Sequence, residues 1–303
     1  MKKYIMKKLI TTILAIIAVI SFNSCDKVDN PIAAVDLDTS NLFWDDSTYV
    51  ASSNTMRKVL IEEFTGHTCQ NCPQGAAELQ NLITTYGNQI VPMGIHSDLT
   101  FCDPRINLDG TAAYFTTGGD SAFYTDFRTT EGDEYRTTFN VVGIPQGLVS
   151  RRSNGSIFTF SQWDTQFQDI QNDAPVVSIG LSTLYNDSAR IVKTVVNTTW
   201  LTSSAGNYKL QIQLIEDNIV DWQLNGSTED PNYLHRHVFR GSINGTWGSD
   251  IPTANSGDSD TQDFSYIIPA NFKKEDCIVV AFVYKDSPSY EIVQVEELHV
   301  TSH

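Results

Sequence analysis

The stretch from Val59 to Pro73 constrains this chain more than any other. An apolar run, VLIEEF, leads through a short break at Thr65–Thr68 into Cys69-Gln-Asn-Cys72-Pro73. The run reads as a buried strand over Val59–Phe64. The recurrence of Ala76, Leu79, Leu82 and Ile83 at helical spacing predicts a helix over Pro73–Tyr86, closed by Gly87-Asn88. Pro73 suits the first turn of that helix, where its missing N–H costs nothing. The two cysteines therefore stand where a strand hands over to a helix. A helix start carries unpaired N–H groups and the positive end of a macrodipole. A thiol placed there loses its proton more readily, which makes Cys69 a candidate nucleophile and Cys72 its resolving partner. Ile90–His96 reads as a second strand.

A lone Cys-x-x-Cys can also be half of a zinc site. No second Cys-x-x-Cys or matched histidine pair is present, and the spacing of His67 and His96 points to no ligand set. The strand before and the helix after favour thioredoxin-like redox chemistry over metal. Glu63 lies six residues before Cys69, where a carboxyl buried beneath the disulfide can relay a proton to the resolving thiol. Strand alternation lets only one of Glu62 and Glu63 point that way, and Glu63 is assigned the role; an acid that merely faces solvent is the plainer reading. Pro145, in Gly143-Ile-Pro145 before the run Gln146–Arg151, resembles a cis-proline loop set against the cysteines, a plain trans turn being the alternative. Gln70-Asn71 between the cysteines does not fix whether such a centre oxidises or reduces. His235 and His237 share one side of a strand entrance and suit a loop-to-strand transition better than a metal. No Ser-His-Asp signature, phosphate loop or dinucleotide fingerprint is present, so no cofactor is expected.

The first residues read as a targeting segment. Lys2, Lys3, Lys7 and Lys8 precede an apolar stretch, Leu9–Phe22, and then Asn-Ser-Cys25. The end of this segment resembles a bacterial lipobox, with residues 1–24 a signal peptide and Cys25 the acylated first residue of the mature protein; an ordinary cleaved signal is the alternative. Residues 25–54, rich in Asp, Ser, Thr and Asn, read as a flexible tether. Residues 1–24 hold four lysines and no acid, so their removal moves the net charge from −16 to −20. That balance argues against nucleic acid or anionic lipid as a charge-driven partner.

Residues 55–173 are expected to form an α/β, thioredoxin-like domain, interrupted by an Asp-, Thr- and Gly-rich insertion over 97–135 with helices of its own. Asn154-Gly155 signals a hairpin turn between Gln146–Arg151 and Ile157–Phe160, and Ser161–Asp164 a capping box for a helix through Ile170. After Ala174-Pro175 the texture becomes β-rich. About seven alternating runs over 174–303 suggest an all-β, immunoglobulin-like sandwich. Ser256–Asp263 reads as a solvated acidic loop without calcium-loop spacing. Cys102 and Cys277 are left over, either as an interdomain disulfide or as two buried thiols.

Val59–Pro73, together with Ile215-Glu-Asp-Asn-Ile-Val-Asp-Trp-Gln223 and the stretch His235–Gly248, resembles the Omp28-like family of Bacteroidetes outer-membrane lipoproteins, from about residue 55 to the end. The resemblance implies a lipid-anchored outer-membrane protein with a thioredoxin-like domain and a β-sandwich. It brings no secure activity. Two functions follow as expectations. One is a thiol–disulfide oxidoreductase using Cys69, Cys72, Glu63 and Pro145, with extracytoplasmic thiols or disulfides as partners. The other is a surface-exposed binding or adhesion lipoprotein whose Cys pair is a structural disulfide.

Overall fold

The computed structural model describes residues 32–52, 56–97, 99–107, 109–252 and 255–302. The expected signal and the expected acylation site, Cys25, lie outside the described residues. The described chain is predominantly β. Its strands are β1 (Asp46–Val50), β2 (Val59–Thr65), β3 (Ile90–His96), β4 (Gln146–Val149), β5 (Phe158–Thr159), β6 (Val177–Asn186), β7 (Ile191–Trp200) and β8 (Tyr208–Glu216). They continue with β9 (Ile219–Asn225), β10 (Thr228–His235), β11 (Val238–Ser242), β12 (Ser249–Ile251), β13 (Ser259–Ile267), β14 (Cys277–Lys285) and β15 (Ile292–His299). The longer helices are α1 (Cys72–Tyr86), α2 (Thr130–Thr138) and α3 (Trp163–Gln168).

One sheet runs through both halves of the sequence, in the order β15-β14-β8-β11-β3-β2-β4-β5, with β12 on β8. The halves join where β11 lies parallel to β3, Val238 opposite Gly94. A second sheet, β1-β6-β7-β13, covers part of the first, and β9-β10 forms a separate hairpin.

Strand alternation explains the layers. On β14, Val279, Ala281 and Val283 face the second sheet, packing with Leu181, Val192 and Val196. Ile278, Val280, Phe282 and Tyr284 face the other way, sharing a core with Leu60, Phe64 and Ile95 of β2 and β3 and with Tyr135 of α2. On β2, Val59 and Ile61 point instead to α1, packing with Leu79, Leu82, Trp163 and Phe167. Both faces of β2 are thus buried, and a strand buried on both faces reads as a continuous apolar run.

Several expectations shift. The segment expected to be a tether over 25–54 contains β1, which pairs antiparallel with β6 from Asp46↔Tyr185 to Val50↔Leu181, and Ile32 is fully buried. Alternating exposure along β1 was masked by its polar neighbours. The hairpin expected between Gln146–Arg151 and Ile157–Phe160 is present, β4 pairing antiparallel with β5 through Gln146↔Thr159 and Gly147↔Phe158, but its connection is no two-residue turn: Ser150, Arg151, Ser153 and Asn154 all take positive φ, forming a helical turn that carries Arg151 inward. The capping box falls two residues earlier than expected, between Thr159 and Gln162, because a 3-10 turn precedes α3. Among the described residues of 97–135 the expected helices are a four-residue turn, Leu99–Cys102, and the start of α2 at Thr130. The acidic run is partly strand: Ser259–Asp263 belongs to β13, where Lys193 holds Asp263 at 3.0 Å. Cys102 and Cys277 are both buried, and neither forms a disulfide. Cys102 donates to the Thr65 carbonyl at the end of β2, and Cys277 packs between the two sheets.

Candidate functional site

Cys69 and Cys72 form a disulfide with Cα atoms 5.4 Å apart. Cys72 opens α1 with Pro73 in the first turn, and no side chain caps the helix start. The loop before it is tightly wound: Cys69 N–H donates to Gly66 O at 3.1 Å and Cys72 N–H to Cys69 O at 3.2 Å. The Ile144–Pro145 peptide is cis, and Cys69 Sγ lies 4.0 Å from Ile144 O. Glu63 lies on the α1 side of β2. A methyl placed on Gly75 of α1 would fall 2.5 Å from Glu63 Oε1 and 2.9 Å from Pro145 Cβ. Glycine at 75 is what lets helix, carboxyl and proline meet. Cys69, Cys72, Glu63 and Pro145 therefore gather at one place.

Glu63 is 3% exposed, and its Oε1 has no hydrogen-bond partner. Burial pushes its pKa up to about 8, because a charge there would lose its water without gaining a cation. Glu62, one residue earlier, faces the opposite core. Both acids are buried, so neither takes the solvent-facing alternative, and β2 is a central strand rather than an edge.

The disulfide is roofed over. Cys69 is 4% exposed and Cys72 1%. The β9–β10 hairpin reaches across from the second half of the chain. Gln223 Nε2 donates to Gly66 O at 3.2 Å and to Cys69 O at 3.1 Å, Leu224 N–H to His67 O at 2.8 Å, and Gly226 N–H to Gln70 O at 2.9 Å. From the other side Thr68 donates its N–H and hydroxyl to Phe101 O, at 3.0 and 2.9 Å. A cluster of rings holds hairpin and insertion together. His96 lies 5.0 Å from Phe127 and 5.9 Å from His235, Phe127 lies 5.1 Å from His235, and Phe123 lies 6.1 Å from Trp222, measured between centroids. Burial drives His67, His96 and His235 toward the neutral form, His235 down to about 4 and His96 well below the usual histidine range. Neutral imidazoles pack as aromatic fillers. Among the described residues no group of three His, Cys, Asp or Glu could hold a metal ion.

The family model described as outer membrane protein Omp28 matches residues 132–303, more than half of the chain. The chain belongs to the Omp28 family. It is accordingly an outer-membrane protein. No curated protein matches it. In overall fold this Omp28-family chain is similar to HBP35 of Porphyromonas gingivalis, with a TM-score of 0.60 at 14% identity over 81% of this chain and 76% of that one. A domain of the outer membrane lipoprotein Omp28 from Porphyromonas gingivalis aligns at 20% identity over 42% of this chain and 89% of its own, with a TM-score of 0.30. An Agrobacterium tumefaciens protein aligns at 12% identity over 83% of this chain and 98% of its own, with a TM-score of 0.48.

The hairpin residues that reach the site in this Omp28-family protein escaped the sequence reading. Asn225-Gly226 after alternating Ile219–Leu224 is a hairpin signal, but the destination of that hairpin is set by tertiary contacts. No spacing rule announces that Gln223 will bond Cys69. Among the described helices, none is long and apolar enough to cross a membrane.

Proposed function

We propose that this outer-membrane chain is a lipid-anchored binding protein in which the Cys69–Cys72 disulfide is a structural clasp. The observation that carries the reading is the roof: a hairpin is bonded to the carbonyls of the cysteine loop at Gly66, His67, Cys69 and Gln70, and both cysteines are buried. Such burial leaves a partner protein little of either cysteine to reach. Residues 55–173 are read as a thioredoxin-like unit, supported by the order strand, Cys72 helix, parallel strand, cis Ile144–Pro145 and antiparallel strand. Residues 174–303 are read as its sandwich partner. In this reading the second half has occluded the face that an exchanging enzyme would offer, and the loops carry binding. Acylation of Cys25 belongs to the same proposal, and retention of radiolabelled acyl chain by the wild type but not by Cys25→Ala tests it.

A redox titration of the folded protein tests the clasp. Structural disulfides typically have potentials below about −300 mV. A potential below that level, with maleimide labelling that is slow after mild reduction and rapid once denaturant is added, is the expected result. A potential near about −200 mV with rapid labelling of the native protein would overturn it.

The second reading, thiol–disulfide exchange, is favoured by one observation: Glu63 keeps its carboxyl protonated beneath α1, against Gly75 and beside Pro145. Cys69 would attack a substrate disulfide, Cys72 would resolve the mixed disulfide, and Glu63 would move the proton. A Cys72→Ser variant that trapped mixed disulfides through Cys69 would establish it.

A further inference from the structure

A cleft of about 400 Å³ opens between α1 and the β9–β10 hairpin. Ala76, Ala77 and Ile83 form the helix wall, Glu63 and His96 the floor, and Tyr233 the hairpin wall. Its size is within the ordinary range for small-molecule sites. The two alanines leave the space open.

Three buried polar groups at this cleft lack hydrogen bonds. They are Glu63 Oε1, both ring nitrogens of His96, and His237 Nδ1. Native proteins leave few such atoms unpaired, and each invites an explanation. The floor also lacks a cation for Glu63. Arg236, the guanidinium lining the cleft, is held by both oxygens of Asp217 at 2.6 and 2.7 Å. The charged and titratable groups facing the carboxyl are thus Tyr233, His235, Arg236 and His237 from the hairpin and its exit, and His96 from β3; α1 contributes none. The Glu63 charge raises the Tyr233 hydroxyl further after burial has done most of that work, so phenol and carboxyl address one space.

We propose that this cleft binds a small primary alkylammonium ligand, with Glu63 as the anionic partner and the Tyr233 ring and hydroxyl beside it. The proposal deepens the binding reading above, since it names a ligand class for it. Charge selects the class. An anionic ligand would find no free cation here and would meet a chain of net charge −16. An ammonium gives Glu63 the partner it lacks, with N–H donors for Glu63 and for the one acceptor nitrogen of neutral His96. An uncharged alcohol would leave Glu63 protonated and forgo the charge-assisted bond.

Binding carries a proton balance. Glu63 holds its proton up to about pH 8, so an ammonium entering at pH 7 displaces close to one proton into solvent while remaining protonated itself. Apparent affinity should then rise about tenfold per pH unit up to about pH 8 and level off above it.

Isothermal titration of the folded protein with n-butylamine and 1,4-diaminobutane, in two buffers of different ionisation enthalpy, reads both affinity and proton release. n-Butanol and butyrate serve as controls. The expected result is saturable amine binding with about one proton released at pH 7. Glu63→Gln, an isosteric change, should weaken it about tenfold or more. Ala76→Leu should block the cleft while leaving Glu63 and the fold, followed by circular dichroism, in place. The proposal is overturned by the absence of saturable amine binding, by equal binding of n-butanol, by binding without proton release, or by unchanged affinity in Glu63→Gln. A failure here leaves the redox titration of the Cys69–Cys72 clasp untouched, so the two readings fail separately.

Discussion

Arg151 Nε and Nη2 hold the two carboxylate oxygens of Glu62 at 2.8 and 2.6 Å, with both side chains wholly buried. The guanidinium sits 5.0 Å from the Tyr135 ring, 5.1 Å from Phe139 and from Phe282, and 5.7 Å from Tyr284. Two of those rings come from the first half of the chain and two from the second. A planar, weakly hydrated cation between aromatic faces suits such a place better than an ammonium would. The pair therefore ties the strand that leads to the cysteines to the far half of the long sheet.

Breaking that pair should be costly, because it strands a buried charge. Glu62→Gln, or Arg151→Lys with its lost fork, should each lower unfolding free energy by about 3–5 kcal/mol. Replacing both by apolar residues should cost much less than the sum of the single changes. Urea denaturation of the two single variants and the double variant checks the coupling; strictly additive losses would contradict it.

Glu63 should imprint its own pH dependence on stability. Its folded pKa of about 8 exceeds the unfolded value of 4.5, so the folded state binds more protons between those values. Stability from this group falls as pH rises from about 4.5 to 8, by about 5 kcal/mol at most. Glu63→Gln should abolish that slope and be the more stable protein at pH 8. Denaturation midpoints at pH 5 and pH 8 provide the comparison.

Histidines near the roof act in the opposite sense. His235 and His237 are both pushed down to about 4 by burial, against 6.5 unfolded. Here the unfolded state binds more protons, so their contribution is complete above about pH 6.5 and is lost as pH falls toward 4. Each can account for up to about 3 kcal/mol. Amide exchange in β9–β10 should accelerate at pH 5 relative to pH 7 after correction for the intrinsic rate, and His235→Phe should blunt that change. Equal corrected protection at both pH values would count against the mechanism.

The roof itself should control access to the disulfide. Gln223→Ala removes both bonds from the hairpin side chain to the cysteine loop. Two lost hydrogen bonds cost about 1–3 kcal/mol together, enough to open the hairpin some 10-fold more often. Maleimide labelling under mild reductant should quicken by about that factor in the variant. An unchanged rate would mean that the hairpin is not what shields the sulfurs.

Much of the site could be read from local pattern. Alternation along Val59–Thr65 separated Glu62 from Glu63, and helical spacing after Pro73 put the cysteines at a helix start. The fate of the other carboxyl was not legible. Glu62 is neither solvent-facing nor free, because its partner lies 89 residues away in a turn of positive φ that read as the end of a strand. β1 was hidden for a related reason: a polar strand gains its identity from the neighbour it pairs with, here β6.

Sequence alone determined what depends on period and local sterics: a central buried strand, a helix opened by Cys72 and Pro73, and an acid directed beneath it. Tertiary structure decided what those groups can do. It closed the hairpin over Cys69, gave Glu62 its cation and left Glu63 without one. The reason is that a group's proton affinity and its access to solvent are set by what surrounds it in space. Those neighbours come from distant parts of the chain, where no repeat of two or 3.6 residues can announce them.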